Sequence, residues 1–212
     1  MTPRAALERG VQELALALPA STTEQMLQYV ALLAKWNRTY NLTAVRDPLG
    51  MVQQHLLDSL AVLAHLPLPA SAARLVDAGS GAGLPGVPLA LARPQWQVAL
   101  VEANQKKAAF LRQVAIELGL QNIEVHATRI ETWQPASLFS LAISRAFARL
   151  ADFIAACRHL LAPHGVFAAM KGRNPEDELA ELPADVECRE LIRLHAPFSQ
   201  AERHLVLCAL RA

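Results

Sequence analysis

The pattern of hydrophobic and polar positions changes once along the chain, close to residue 70. Before that point, hydrophobic residues recur three or four positions apart in residues 26–36 and again in residues 52–63. This spacing is typical of helices that bury one face. Glu24 follows Ser21 by three positions, a capping-box pattern that predicts the start of the first of these helices. The first part of the chain is therefore predicted to be helical.

After residue 70, short hydrophobic runs alternate with segments of helical spacing. Runs with few polar positions are typical of parallel strands that are covered on both faces. The last two strand candidates, residues 187–197 and 203–210, are separated by a loop too short for a crossover helix, so they should pair antiparallel. The sequence predicts an α/β fold: a Rossmann-like, mostly parallel sheet with an antiparallel C-terminal hairpin over residues 71–212, preceded by a helical cap over residues 1–70.

The first predicted strand leads into a glycine-rich loop within LVDAGSGAGLPGVPLALA, residues 75–92. Its glycines stand at alternate positions: Gly79, Gly81 and Gly83. Glycine permits positive φ and lets a ligand approach the main chain, and the first strand-to-helix turn of such a sheet is where ligands bind. Asp77 can accept a hydrogen bond from a ligand amine or order the loop. Glu102, at the end of the second strand, can accept hydrogen bonds from ribose hydroxyls.

Two classes of ligand fit this loop. The segment GAGLPG, residues 81–86, matches the GxGxxG pattern of dinucleotide-binding proteins. The other interpretation is the DxGxGxG loop of S-adenosylmethionine enzymes. The negative charge of Asp77 would repel a pyrophosphate and attract an ammonium group. The C-terminal hairpin and the lack of a second domain for a hydride acceptor also favour the methyl donor, with the dinucleotide as the alternative.

Several motifs beyond the glycine loop carry a resemblance that covers nearly the whole chain. They are YNLTAVRD (40–47), HLLDSL (55–60), GLPGVPLA with a proline inside the loop, KKAAFLRQV, SRAFA, MKG and ERHLV (202–206). Their order and spacing resemble the bacterial 16S ribosomal RNA guanine-N7 methyltransferase family, RsmG (GidB). The resemblance implies a class I methyltransferase fold. It also implies transfer of a methyl group from S-adenosyl-L-methionine to N7 of a specific guanosine in 16S rRNA of the small subunit.

The resemblance also implies site residues. The donor site would include Gly79 and Leu84 in the loop, Glu102 at the ribose, the pair Ile130–Glu131 near the adenine, and Arg145 near the methyl-transfer centre. The loop itself adds Asp77 and Gly81. The family often has alanine where this chain has Ile130, a change that backbone contacts tolerate. The expected product of the donor is S-adenosyl-L-homocysteine, and no metal site is expected.

Guanine N7 carries a lone pair in the neutral base, so no general base is needed to create the nucleophile. The chemistry therefore needs alignment above all. We expect Arg145 to be catalytic by positioning the base or a phosphate. The candidates for holding RNA are Arg38, Asn41, Arg46, His55, Arg149, Lys171 and Arg173. Two of them have structural alternatives: Asn41 can end a helix, and His55 can pair with Asp58.

Composition and net charge say little about which molecules this protein binds. The formal charge is +1. Residues 140–173, however, contain five basic residues and one acid, and this face could hold a phosphate backbone or simply be solvated.

No stretch predicts a membrane span or a signal peptide. The three cysteines lack CxxC spacing, so they predict neither a disulfide framework nor a zinc site. We expect a cytoplasmic monomer whose partner is 16S rRNA in the 30S subunit. The alternatives are a non-catalytic binding module and a dehydrogenase.

Overall fold

A seven-stranded sheet forms the centre of the molecule, with the strand order β3-β2-β1-β4-β5-β7-β6. The computed structural model describes residues 1–145, 147 and 149–211. Strands β1 to β5 are parallel, and β7 pairs antiparallel with both β5 and β6. The strands are β1 (Ala73–Ala78), β2 (Trp96–Val101), β3 (Ile123–His126), β4 (Phe139–Ser144), β5 (Leu161–Lys171), β6 (Val186–Arg193) and β7 (His204–Leu210). The predicted parallel sheet and its antiparallel hairpin are confirmed.

Helices cover both faces of the sheet. They are α1 (Pro3–Glu13), α2 (Ala20–Tyr40), α3 (Pro48–Met51), α4 (Leu57–Leu60), α5 (Gly86–Ala92), α6 (Gln105–Glu117), α7 (Leu150–Cys157) and α8 (Glu176–Ala180). Side chains alternate between the faces: Leu75 and Leu141 belong to one hydrophobic core, and Val76 and Ala142 to the other. Near-continuous hydrophobic strands follow directly from this two-sided burial.

The N-terminal helices share a core with the sheet. Leu7 of α1, Tyr29 of α2 and Leu57 of α4 are all fully buried, in the same cluster as Leu75 and Leu100 of the sheet. The boundary predicted at residue 70 thus separates two parts of the sequence that pack as neighbours around one core. Their separation into two domains stays a prediction.

The N-terminus of α2 differs from the sequence prediction. The helix begins at Ala20, directly after Pro19, and it has no side-chain cap. Glu24 instead accepts a hydrogen bond from Arg4 of α1 at 2.8 Å. The capping box predicted from Ser21 is therefore wrong, because the carboxylate that would close it forms an ion pair with the neighbouring helix.

A π-helical turn, Val52–Leu56, joins α3 to α4. The N–H of Leu57 donates to the carbonyl of Val52, a bond that spans five residues instead of four. The hydrophobic spacing in residues 52–63 predicts a helix but does not reveal this turn. Such turns are frequent at functional sites, and this one carries Gln54 and His55 to the carboxyl edge of the sheet.

Within the described residues, none of the helices combines the length and the hydrophobicity that a membrane span requires. No group of three His, Cys, Asp or Glu side chains among those residues is arranged to hold a metal ion.

Candidate active site

The glycine loop follows β1 and crosses over the end of β2. Gly79, Gly81 and Gly83 have φ angles of 68°, 58° and 92°, in the region that glycine adopts readily. The N–H of Gly79 donates to the carbonyl of Val101 at 2.9 Å, which ties the loop to β2. The alternating glycines thus allow a backbone conformation that would be strained for residues with a side chain.

Asp77 lies beneath this loop and is fully buried. Its Oδ2 accepts a hydrogen bond from the N–H of Gly86 at 2.9 Å, at the start of α5. A Cβ at Gly86 would lie 2.7 Å from that oxygen, so the contact requires glycine. Burial raises the pKa of Asp77 to about 7. This buried position favours a role for Asp77 in ordering the glycine loop over direct contact with a ligand. The predicted contact between Asp77 and the methyl donor stays a prediction.

Glu102 follows β2 and supports the loop from the side. Its Oε2 accepts from the N–H of Gly81, and its Oε1 accepts from the N–H of Asn104, both at 2.8 Å. The residue is 8% exposed. A carboxylate has about four lone-pair sites, so each oxygen can still accept a hydroxyl. The predicted ribose contact is compatible with this geometry.

A cavity of about 190 Å³, here called the loop cavity, opens beside the glycine loop. It is lined by Leu42, Thr43, Gly79, Ser80, Gly81, Ala82, Leu84 and Arg145. Tyr29 of α2 donates from its buried hydroxyl to the carbonyl of Ala82 at 2.8 Å. A helix of the N-terminal region therefore fixes one side of the loop.

The pair predicted to lie near the adenine forms a short 3-10 turn after β3, Ile130–Thr132. Ile130 is buried in the same core cluster as Ala99 and Val101 of β2, whereas Glu131 is exposed. The isoleucine side chain points into the protein, so this position can present only its backbone to a ligand.

Arg145 directly follows β4 and lines two cavities. Its Nη1 lies 3.4 Å from Asp58 Oδ2 and 3.4 Å from the carbonyl oxygen of Gln54. Ala146 and Ala148 of the SRAFA motif lie outside the described residues. The guanidinium is thus held by the N-terminal region at the boundary between the two cavities.

The second cavity, here called the basic cavity, has a volume of about 320 Å³. It is lined by Gln54, His55, Asp58, Arg145, Met170, Lys171, Gly172, Leu194, Arg203 and His204. Asp58 Oδ1 accepts from Arg203 Nε at 2.7 Å. The cavity is at the lower end of the range for small-molecule pockets, roughly 300–1,000 Å³, and its wall contains three cations, Arg145, Lys171 and Arg203, and one acid, Asp58.

His55, a predicted RNA contact, is 8% exposed. Its Nε2 is 2.7 Å from Thr43 Oγ1. Burial, and secondarily the positive charge of Arg145, lowers the pKa of His55 to about 4. The alternative that His55 pairs with Asp58 is wrong in this structure, since Asp58 binds the two arginines. The RNA contact of His55 therefore stays a prediction, and a neutral imidazole could take part in it only through a hydrogen bond, not as a cation.

Asn41 and Arg46 lie together after α2. Asn41 ends that helix in the left-handed conformation, with φ of 49°, and its Oδ1 accepts from Arg46 Nη2 at 3.1 Å. Arg46 also approaches the carbonyl of Asn37 at 3.4 Å. The structural role considered for Asn41 is therefore present, and its side chain also orients an exposed arginine.

The remaining candidates for RNA contact differ in their surroundings. Arg149 pairs with Glu181, and Lys171 Nζ lies 2.7 Å from Glu178 Oε2. Arg38 and Arg173 are exposed. The predicted basic face therefore contains cations that acids already engage, and its contact with RNA stays a prediction.

Comparison with known proteins places this arrangement in a class. The structure of a SAM-dependent methyltransferase from Aquifex aeolicus superposes with a TM-score of 0.57 and 15% identity, covering 76% of this chain and 93% of that chain. Sheet order, glycine loop and C-terminal hairpin are those of the S-adenosylmethionine-dependent methyltransferase fold.

Sequence comparison then gives the family. The family model GidB, described as rRNA small subunit methyltransferase G, matches residues 22–206. Proteins named Ribosomal RNA small subunit methyltransferase G from Laribacter hongkongensis and Chromobacterium violaceum are 51% and 48% identical to this chain. The first alignment covers 97% of each chain and the second 98% of each. The chain belongs to the rRNA small subunit methyltransferase G family and is a methyltransferase.

Sequence reasoning missed three residues of the site. The sequence pattern does not single out Tyr29, it offers Asp58 only as a partner of His55, and it contains Arg203 only as part of the motif ERHLV. Asp58 contacts Arg145, which lies 87 positions later in the sequence, and Arg203, which lies 145 positions later. Periodicity carries no information about such contacts.

Proposed function

We propose that this protein transfers the methyl group of S-adenosyl-L-methionine to N7 of one guanosine in 16S rRNA of the small ribosomal subunit. The observation that carries the proposal is the position of Arg145, which lines both the loop cavity and the basic cavity. A methyl donor in the first and a base in the second would meet at this residue. The names of the relatives, which specify ribosomal RNA of the small subunit, supply the substrate class.

The residues around the loop cavity fit the proposed donor. Gly81 leaves open space where a Cβ would stand, since the nearest atom is 3.9 Å away. The backbone of Gly79 and Leu84 would hold the amino-acid end, and Glu102 would accept the ribose hydroxyls. The adenine would lie against the backbone of Ile130 and Glu131. Bound there, the donor supplies an electrophilic methyl group on a cationic sulfur.

The acceptor needs little chemical help from the protein. The lone pair of guanine N7 would form the new N–CH3 bond while the S–CH3 bond broke, and the electron pair of that bond would remain on sulfur. No proton leaves N7, so no general base is required. Alignment of the reacting atoms can contribute on the order of 7 to 11 kcal/mol. Arg145 positions the base through O6 or a phosphate, because a cation close to N7 would oppose the positive charge that develops there.

The RNA itself would lie across the carboxyl edge of the sheet. Arg38, Arg46 and Arg173 are exposed cations that could meet phosphates. Arg149 and Lys171 would have to exchange their acidic partners for phosphate. The proposed enzyme is a monomer that acts on the 30S subunit in the cytoplasm.

The proposal is tested with tritiated S-adenosylmethionine and 30S subunits from cells that lack this modification. We expect one labelled nucleoside in 16S rRNA, identified as N7-methylguanosine after nuclease mapping. Donor binding without transfer would leave the fold assignment intact and remove the substrate. Failure to bind the donor would return the loop to the dinucleotide interpretation, which NADH fluorescence on mixing would test.

A further inference from the structure

The basic cavity contains one buried acid, Asp58, between two arginines. Its Oδ1 accepts from Arg203 Nε at 2.7 Å, and its Oδ2 lies 3.4 Å from Arg145 Nη1. The carboxylate side chain is 6% exposed, whereas each arginine is 26% exposed. Asp58 lies in α4, Arg145 directly follows β4, and Arg203 directly precedes β7. A carboxylate on the N-terminal region therefore fixes two guanidiniums that belong to the sheet.

The π-helical turn supplies a second acceptor to the same arginine. The carbonyl of Gln54 lies 3.4 Å from Arg145 Nη1, the same nitrogen that faces Asp58. Two acceptors from one helical segment restrict the orientation of a side chain that otherwise has many rotamers. The segment that carries Gln54 and Asp58 thus holds Arg145 in place.

The charge of Asp58 matters as much as its hydrogen bonds. Lys171 at the cavity wall is paired with Glu178 at 2.7 Å, so Asp58 is the acid that faces the arginine pair. Methylation at N7 turns a neutral purine into a cation. Two uncompensated guanidiniums beside that ring would oppose the developing charge, and the carboxylate between them offsets this effect.

We propose that the basic cavity receives the acceptor guanine base and that Asp58 is the positioning residue that holds Arg145 and Arg203 in its wall. This inference rests on the proposed function. Arginine only donates hydrogen bonds, so a fixed guanidinium fits the O6 carbonyl of guanine. Adenine presents an amino group at the same position, and its N–H groups would face the donors. Asp58 therefore contributes to the choice between the two purines, both of which carry an N7 lone pair.

The test is the variant Asp58→Asn, which keeps the size of the side chain and one acceptor oxygen but removes the charge. The readouts are the dissociation constant for S-adenosylmethionine by calorimetry, the single-turnover rate of methyl transfer to unmodified 30S subunits, and KM for those subunits. We expect the rate to fall by about 10²-fold, the loss that a small misalignment can cause. Donor affinity should fall far less than the rate, because Arg145 itself remains beside the loop cavity. KM should not rise, because the substitution makes the cavity more positive.

Two further variants separate positioning from a general structural role. Glu24→Gln makes the same chemical change in an arginine-paired acid outside both cavities, and it should leave the rate unchanged. Asp58→Glu restores the charge and should recover part of the rate. If Asp58→Asn does not fold, Arg203→Lys tests the same pair from the other side, since lysine keeps the charge but lacks the planar fork. It should show the same loss of rate with normal donor affinity.

The outcomes are distinct. Wild-type rate in Asp58→Asn, or in Arg203→Lys where that variant replaces it, overturns the inference while the proposed function stands. Parallel loss of donor affinity and rate also overturns it, because that result shows a structural role. A wild-type protein that binds the donor but transfers no methyl to 30S subunits refutes the proposed function, and the inference falls with it.

Discussion

The loop cavity and the basic cavity lie side by side, but the chain builds them in opposite ways. Most of the loop cavity comes from residues 79–84, one contiguous stretch whose backbone path is set by glycines. The basic cavity is assembled from residues 54–58, Arg145, residues 170–172, Leu194 and residues 203–204. The first can be identified from a motif, whereas the second exists only when distant segments pack together. Arg145, which lines both, connects the two.

The largest effect is expected where the cavities meet. Arg145→Ala should lower kcat/KM for methyl transfer by at least roughly 10²-fold, because both substrates lose alignment. Affinity for S-adenosylmethionine should also fall, by more than in Asp58→Asn, which distinguishes the two variants. Steady-state kinetics and calorimetry measure the two quantities. Unchanged rate and affinity would remove Arg145 from the site.

A matched pair of glycine substitutions isolates the loop cavity. Gly81 and Gly119 both have positive φ, 58° and 64°, and neither has an atom closer than 3.9 Å to the position of an added Cβ. Alanine at either position should therefore cost about 1–2 kcal/mol of stability through backbone strain. Only Gly81→Ala should also weaken donor binding. Each 1.4 kcal/mol of lost binding free energy raises the dissociation constant for S-adenosylmethionine about tenfold. Thermal unfolding and calorimetry on both variants decide this, and equal loss of donor affinity in both would contradict it.

Asp77 should make the stability of the donor-free protein depend on pH. Its pKa is about 7 in the folded protein, above the ordinary value of 3.8. The folded state therefore holds the proton more tightly, and this stabilisation, complete at low pH, is lost as pH rises through about 7. Thermal unfolding between pH 5 and 8 should show the Tm of the wild type falling relative to Asp77→Asn.

The difference in Tm between the wild type and Asp77→Asn should change by about 2–4 °C for each kcal/mol of unfolding free energy that the wild type loses as Asp77 ionises. His55 has the opposite shift, with a pKa lowered to about 4, but it is present in both proteins and cancels in the comparison. Parallel curves for the two proteins would show that Asp77 does not titrate in this range.

The smallest effect is expected for substitution of an exposed cation, through the salt dependence of binding to the 30S subunit. If Arg173 meets a phosphate, Arg173→Ala should reduce the slope of log K against log salt for 30S binding by about 1. Arg112, an exposed arginine of α6 outside both cavities, is the matched control. Filter binding over a range of salt concentrations measures both slopes. Equal slopes for wild type and Arg173→Ala would exclude Arg173 from the RNA surface.

Local sequence patterns predicted the parts of this molecule that depend on local physics. Strand burial on two faces, the hairpin and the glycine loop were all predicted correctly, because each depends on the side chains of one segment. The capping box at Ser21 failed because Glu24 has a better partner in another helix. The π-helical turn also escaped prediction, since hydrophobic spacing fits an ordinary helix equally well. Asp58 shows the same limit at the site, where its partners lie far away in sequence.

The position of β7 in the sheet has a consequence for folding during synthesis. β7 follows β6 along the chain but lies between β5 and β6 in the sheet. While the ribosome is still making residues 204–210, β5 has an open edge and β6 has no strand to pair with. Arg203 directly precedes this strand. The nascent chain can therefore complete the glycine loop well before the wall of the basic cavity, and the enzyme acquires its proposed guanine pocket last.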